Sequence, residues 1–275
     1  MAGSRCSEPR RLVPVCGLVL LLLSPVLGAG SSKVERVIDG DTVILEDGTH
    51  VRYVGINTPE RDQPYFGEAV ALNRRLTEGK HVRLEGDEVQ EDGYHRLLAY
   101  VYVDGDMVNA RLIEEGLAHV FVIPPNLRYY DRFLELQRRA RAARRGMWRS
   151  VRGPLKITFL KFNAPGDDRL NPNGEYVRIA SVADGVIDVR GYVLRDAYGH
   201  RYTFPALSLK PGYSMLLVSG RGVDVADPGR IILYWQSDGA IWNNDGDTAT
   251  LLAPDGSTVD RFQYQGFQRR KKGKN

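Results

Sequence analysis

Cysteine is nearly absent from this chain of 275 residues. There are two, Cys6 and Cys16, both in the first stretch of sequence, so disulfide scaffolding is excluded for the body of the protein. Long apolar runs are missing as well, with one exception at the N-terminus, and that excludes a multi-span membrane protein. An excess of charge of one sign is also missing. The 38 Lys and Arg against 34 Asp and Glu leave a net +4, which falls to +2 without residues 1–30. Removing the five cations of the terminal run Arg269, Arg270, Lys271, Lys272 and Lys274 then makes the balance −3, so global charge carries no argument for a nucleic-acid partner. No close internal repeat is found. With 26% charged and 43% hydrophobic residues the composition is that of a globular protein, neither disordered nor collagenous, with length for one large domain or two ordinary ones.

The single apolar run reads as a secretory signal over residues 1–30. Arg5, Arg10 and Arg11 form its positive end, Val15–Leu23 its apolar core, and Gly28-Ala29-Gly30 offers small residues for cleavage. Leu12–Leu27 counts 16 residues with two prolines, short of a bilayer span, although a retained anchor is the alternative. The residues after Arg10-Arg11 match a twin-arginine signal poorly, and Val15 before Cys16 does not suit lipidation. The expected location is extracellular, with a periplasmic or membrane-anchored state as the lesser options.

The remainder divides near residues 150–155. Over 31–152, β-rich runs at Val34–Ile38, Thr42–Leu45, Thr49–Ile56, His81–Leu84 and Arg96–Val103 alternate with helical patterns at Phe66–Glu78, Met107–Glu115 and Tyr129–Arg145. Gly79, Gly116 and Gly146 stop the helices, and Asp47-Gly48 marks a hairpin. Five strands with interposed helices suit a small Greek-key barrel of the OB type. Over 153–265 the helical signal ends. Seven short β runs (Ile157–Phe162, Glu175–Ile179, Gly191–Leu194, Tyr213–Val218, Ile231–Trp235, Thr248–Leu252, Val259–Tyr264) are separated by turn residues, which indicates a β-sandwich. Residues 266–275 form a basic tail that would add salt-sensitive attraction to nucleic acid. The fold class expected is mainly β in two domains.

Chemistry concentrates in the first half. Asp39 and Asp41 of Asp39-Gly40-Asp41-Thr42 would share a face of an extended chain, although Asp and Gly also make plain turns. Arg52 lies on a strand that ends at Asn57-Thr58-Pro59-Glu60, where Pro59 blocks further pairing. Asp92-Gly93-Tyr94-His95-Arg96 delivers a second arginine at the start of another strand. These parts suit phosphodiester hydrolysis. Hard oxygens of Asp41, Asn57 and the Thr58 carbonyl could hold Ca²⁺, two guanidiniums could offset phosphoryl charge, and Glu60 could take a proton from water. The plainer alternative makes Arg52 and Arg96 partners of surface acids.

Asp39-Gly40-Asp41-Thr42-Val43, Arg52…Gly55-Ile56-Asn57-Thr58-Pro59-Glu60 and Asp92-Gly93-Tyr94-His95-Arg96-Leu97-Leu98-Ala99-Tyr100 resemble staphylococcal-type thermonucleases. The likeness continues through Val108-Asn109, Glu115-Gly116-Leu117-Ala118 and Gly146-Met147-Trp148, in the family's order. The resemblance implies an OB-fold barrel with three helices that uses Ca²⁺ to cleave DNA and RNA to 3′-phosphorylated products. It implies Asp41 as metal carboxylate, the Thr58 carbonyl as a further ligand, Arg52 and Arg96 on the phosphate and Glu60 as general base. Asn57 departs from the prototype, which has an aspartate there, and the loss of one negative charge predicts weaker metal binding. The prototype's nucleotide-seating aromatic pair is not evident around His119–Pro124, which leaves Tyr94 as the candidate for stacking on a base or as a rim tyrosine without a ligand.

The second half resembles a lamin-tail domain, an immunoglobulin-like sandwich, through Glu175-Tyr176-Val177-Arg178-Ile179, Gly191-Tyr192-Val193-Leu194-Arg195-Asp196, Leu209-Lys210-Pro211-Gly212, Trp242-Asn243-Asn244-Asp245-Gly246-Asp247 and Leu251…Asp255-Gly256…Val259-Asp260. By analogy such a domain binds substrate or a surface. Set against an EF-hand loop, Asn243–Asp247 puts Ile241 and Leu252 where acids belong, so a solvated turn is expected. Trp235 and Trp242 are read as packing residues, and the arginines of residues 138–145, which fall on more than one face of their helix, as a solvated face rather than a phosphate-contacting stripe. The whole is read as an exported, Ca²⁺-dependent, sugar-nonspecific nuclease acting on DNA and RNA, monomeric and without an inferable protein partner. The alternatives are a non-catalytic nucleic-acid- or surface-binding protein on a degenerate nuclease barrel, and a cell-surface sandwich with an ancillary nuclease.

Overall fold

A computed structural model describes residues 32–61, 63–167, 170–227 and 229–266. The expected signal segment 1–30 and nearly all of the basic tail lie outside the described residues. Among the described residues no helix is long and apolar enough to cross a membrane.

The first half forms eight strands and three α-helices: β1 Ser32–Val37, β2 Thr42–Leu45, β3 His50–Tyr53, β4 Ile56–Asn57, α1 Phe66–Thr77, β5 His81–Glu85, β6 Leu97–Val103, β7 Asp106–Met107, α2 Val108–Glu114, β8 His119–Val120 and α3 Tyr130–Ala142. Five strands close on themselves. β1 pairs antiparallel with β2, β2 with β3, β3 parallel with β6, β6 antiparallel with β5, and β5 returns to β1. That is the expected OB-type barrel with its three helices. The run Thr49–Ile56 is broken at Gly55, whose φ of 79° belongs to a tight bend and where a Cβ would meet the Phe133 ring at 2.8 Å.

Buried amides hold the helices to the barrel. Asn73 of α1 accepts from the Tyr53 hydroxyl at 2.8 Å and donates to the Asp39 carbonyl at 3.0 Å, pinning the β1–β2 loop. Asn109 of α2 accepts from Val101 N and donates to Val54 O, both at 2.9 Å, and Gln137 of α3 accepts from Val120 N at 2.7 Å. Each replaces a backbone partner that a barrel end would leave unmade.

The second half has two packed sheets and a two-stranded ribbon in which Ile187–Asp188 pairs with Ser208–Leu209. One contains β9 (Leu155–Lys161), β10 (Tyr176–Ser181) and strands at Ser214–Val218, Arg230–Tyr234 and Val225–Asp227. The other contains Val193–Arg195, Arg201–Thr203, Gly246–Leu252 and Thr258–Gln265. Ile157, Val177, Ile179, Leu194, Leu251 and Phe262 meet between them. Trp242 is buried here with Trp235 edge-on at 6.1 Å, the packing role expected of both. The Asn243–Asp247 segment is a turn with Asn243 and Asp245 exposed, as expected, and it is anchored at its end, where Asp247 is buried and accepts from the backbone N–H of Ala197, Asn243 and Thr248.

The two halves are packed together. Val122 N donates to Gly212 O at 3.0 Å and the Tyr130 hydroxyl to Pro211 O at 2.8 Å. Gln63 reaches the carbonyls of Ile157 and Thr158 on β9. Val182 is buried with Ala140, Met147 and Trp148, and Arg141 donates to its carbonyl. The arginines of 138–145 are mostly exposed, as expected of a solvated face, with Arg138 and Arg139 pairing with Glu135 and Arg145 bonding Glu114 O, while Arg128 further back pairs with Glu85.

Candidate active site

The β1–β2 loop, the end of β3 and the segment after β4 converge where barrel pairing stops. Asp39–Asp41 is a bend, not an extended chain; Asp39 Oδ1 accepts from Asp41 N at 3.0 Å, and this local hydrogen bond competes with strand geometry. Both carboxylates still face one cleft, because curling the loop replaces the alternation of a strand. A Cβ on Gly40 would lie 2.7 Å from the Thr58 Cβ, so this close approach of two loops requires glycine.

Asp39, Asp41, Arg52, Asn57, Glu60 and Arg96 line a single cleft of about 570 Å³. Asp41 is buried, and its Oδ2 accepts from Thr58 N at 2.7 Å. Arg52 Nη2 stands 3.3 Å from that Oδ2 and donates to Asn57 Oδ1 at 3.0 Å. Thr58 is the one expected ligand outside the cleft lining: it is buried, and its carbonyl accepts from Asn57 Nδ2 at 3.1 Å. On the opposite lip, Arg96 is gripped by Asp92 Oδ2 at 2.8 Å from Nε and 2.7 Å from Nη2, a charge-assisted fork. Tyr94 lines the mouth and is 78% exposed, with the Arg96 guanidinium 5.5 Å from its ring centroid.

The electrostatics are those of carboxylates crowded together. Burial pushes Asp41 up to about 6, with Asp39 adding to the rise and Arg52 opposing it. Burial likewise pushes Glu60 up to about 7, reinforced by Asp41 and Asp39 and countered by Arg52 and Arg178. Among the described residues no three His, Cys, Asp or Glu side chains form a metal-holding group. The oxygens lining the cleft are instead the carboxylates of Asp39, Asp41 and Glu60 with the Asn57 amide, and such hard oxygens on mutually repelling acids suit a divalent cation.

Sequence reasoning missed the other wall. Phe159, Tyr176 and Arg178 of the sandwich line the same cleft as Glu60. Alternation along β10, with Val177 and Ile179 buried, already puts Tyr176 and Arg178 on the face away from the sandwich core. Nothing in the sequence says what stands opposite that face.

A closed five-strand barrel with a carboxylate and arginine cleft at its rim, followed by a β-sandwich, defines a nuclease-type architecture. The family model described as staphylococcal nuclease homologue matches residues 50–150, and that of the lamin tail domain matches 149–266. The thermonuclease of Staphylococcus hyicus is 39% identical over 125 residues, 42% of this chain and 74% of that protein. The thermonuclease of Staphylococcus intermedius is 34% identical over 158 residues, 50% of this chain and 94% of that protein. The endonuclease YncB of Bacillus subtilis is 39% identical over 125 residues, 42% of this chain and 59% of its own. The chain belongs to the staphylococcal nuclease family and is by that membership an enzyme of the nuclease class.

Proposed function

We propose that this protein is an exported, Ca²⁺-dependent endonuclease that hydrolyses phosphodiester bonds of DNA and RNA, acting as a monomer. The observation that carries the reading is the convergence of Asp41, Arg52, Asn57, Glu60 and Arg96 on one cleft from segments distant in sequence. Asp41 and Asn57 would hold the cation, with the Thr58 carbonyl behind them. Bound there, Ca²⁺ would polarise a phosphate oxygen.

Glu60 takes a proton from water as the water oxygen bonds to phosphorus. The P–O5′ bond breaks, leaving a 3′-phosphate and a 5′-hydroxyl that draws its proton from solvent. Arg52 and Arg96 bring guanidinium donors to the phosphoryl oxygens as negative charge builds on them. A carboxylate whose pKa lies near neutrality is matched to proton transfer at ordinary pH.

The test is degradation of single-stranded DNA by the mature chain with Ca²⁺ and then with chelator. Cleavage that both chelator and Glu60→Gln abolish supports the reading. A folded protein that leaves DNA intact at millimolar Ca²⁺ overturns it in favour of a binding module.

A further inference from the structure

The sandwich wall of the cleft has a composition its own fold does not need. On the outer face of β9 and β10, Arg178 pairs directly across from Phe159, and Tyr176 across from Lys161. A bulge in that pairing lets Ile157 follow Phe159 against the next residue of β10, so the ring stays outward while both neighbouring apolar residues face the core. The Phe159 and Tyr176 rings lie 5.7 Å apart, tilted by 34°. Each has a cation at its face, Arg178 at 5.9 Å from Phe159 and Lys161 at 5.9 Å from Tyr176.

Arg178 is unlike the other arginines of the cleft. Arg52 is paired with Asp41 and Arg96 with Asp92. The Arg178 guanidinium has, among the described residues, ring faces for partners: Phe159, and across the boundary Phe121 of the barrel at 5.4 Å. A half-buried guanidinium carries five donors and no acceptor, so the part of it that faces the cleft can take an anion. Burial holds its pKa below the ordinary arginine value, with Arg52 adding and Tyr176 and Glu60 opposing, so it is also close enough to Glu60 to be felt there.

We infer that the sandwich domain supplies a substrate subsite in which Arg178 takes a backbone phosphate and Phe159 and Tyr176 stack an unpaired base of a single-stranded nucleic acid. Tyr94, exposed on the barrel lip, closes the subsite from the other side. Rings and cations interleaved in this way are how single strands are bound without sequence preference, and only an unpaired base offers its face to a ring. The lamin-tail domain then becomes part of the enzyme's binding cleft rather than an appendage. The inference deepens the nuclease reading and rests on it, but its test does not need cleavage.

The test is fluorescence anisotropy of a labelled single-stranded oligonucleotide on the full mature chain in chelator, repeated across salt concentrations. Arg178→Ala is expected to weaken binding about tenfold and to flatten the salt dependence by about 0.7 in the log–log slope, one phosphate contact on a single strand. Tyr176→Ala and Phe159→Ala are expected to weaken binding about tenfold with the salt slope unchanged, and to reduce the preference for single-stranded over duplex DNA. Arg195→Ala, the same charge change on an exposed position of the other sheet, serves as control. Arg178→Lys separates charge from the planar fork, and thermal melts check that each variant folds.

Arg178→Ala binding within twofold of the Arg195→Ala control overturns the subsite. So does an Arg178→Ala protein whose kcat falls while its affinity is unchanged, which would make Arg178 an electrostatic neighbour of Glu60. If the native chain binds as expected but never cleaves, the nuclease reading fails and the subsite stands.

Discussion

Arg52 donates to Asn57 Oδ1 at 3.0 Å while the same Nη2 stands 3.3 Å from Asp41 Oδ2, so one guanidinium bridges two side chains expected to hold the cation. A cation held by these two side chains would compete with Arg52 for the same oxygens. Asn57→Asp adds a negative charge to a site where burial and Asp39 already push Asp41 up to about 6. In chelator the variant is expected to melt below the native chain, because a further buried carboxylate is repelled. With Ca²⁺ its half-saturation concentration should fall about tenfold and its thermal stabilisation by the ion should be larger. Differential scanning fluorimetry against Ca²⁺ reads both; an unchanged midpoint would place the ion elsewhere.

Glu60 is pushed up to about 7 by burial, with Asp41 and Asp39 reinforcing. As general base it must be ionised, so kcat/KM should rise with unit slope below about pH 7 and level off above. Raising Ca²⁺ should move the midpoint down, since a nearby cation favours the carboxylate. Glu60→Gln should lower kcat by about 10²–10⁴-fold. The native group binds its proton more tightly than the unfolded one, so its effect on stability is lost as pH rises through 7. Glu60→Gln should accordingly melt higher than the native chain at pH 8. A variant with full activity, or a flat acid limb, contradicts the assignment.

Legibility followed from local rules. Thr42–Leu45 and the helix over Phe66–Thr77 are set by β-branched runs, apolar spacing and Gly79, and all are local. Strands at Ile187–Asp188, Arg201–Thr203, Ser208–Leu209 and Val225–Asp227 were not legible, because two or three residues cannot display a period. Asp41, Arg52, Glu60 and Arg96 were readable as candidates because they sit in short motifs beside strand ends. Arg178 was not, although its alternation put it outward. Its role depends on docking contacts such as Val122 with Gly212, which lie far apart in the chain and leave no mark on either segment.

That docking can be tested at Gly212. Its φ is 74°, and a Cβ there would meet Val120 Cγ1 at 2.8 Å, so alanine brings both backbone strain and a steric wedge between the halves. Gly212→Ala should destabilise by about 1–3 kcal/mol. Calorimetry should show a single transition for the native chain and the two halves beginning to melt separately in the variant. Binding of single-stranded DNA should weaken with them, since Arg178 would move away from the barrel lip. A variant that melts and binds like the native chain would show that this contact does not hold the halves together.

His119 is buried on β8 with Nδ1 donating to Val120 O at 2.9 Å, and among the described residues Nε2 has no hydrogen-bond partner. Burial pushes its pKa down to about 4, with nearby Lys156 and Arg52 adding. The unfolded chain takes up this proton near pH 6.5, while the native one resists until about 4. Between those values the unfolded state binds more protons, so stability falls as pH falls, by at most about 3 kcal/mol. Glu60 works in the opposite sense over part of the same window, so the native curve alone does not isolate either group. His119→Gln keeps a donor for Val120 O and removes the titration. The difference between native and variant melting temperatures should therefore grow in the variant's favour from pH 6.5 to 4 and be constant above. Parallel curves across that range would mean that His119 is protonated in the folded protein, with an acceptor or water at Nε2.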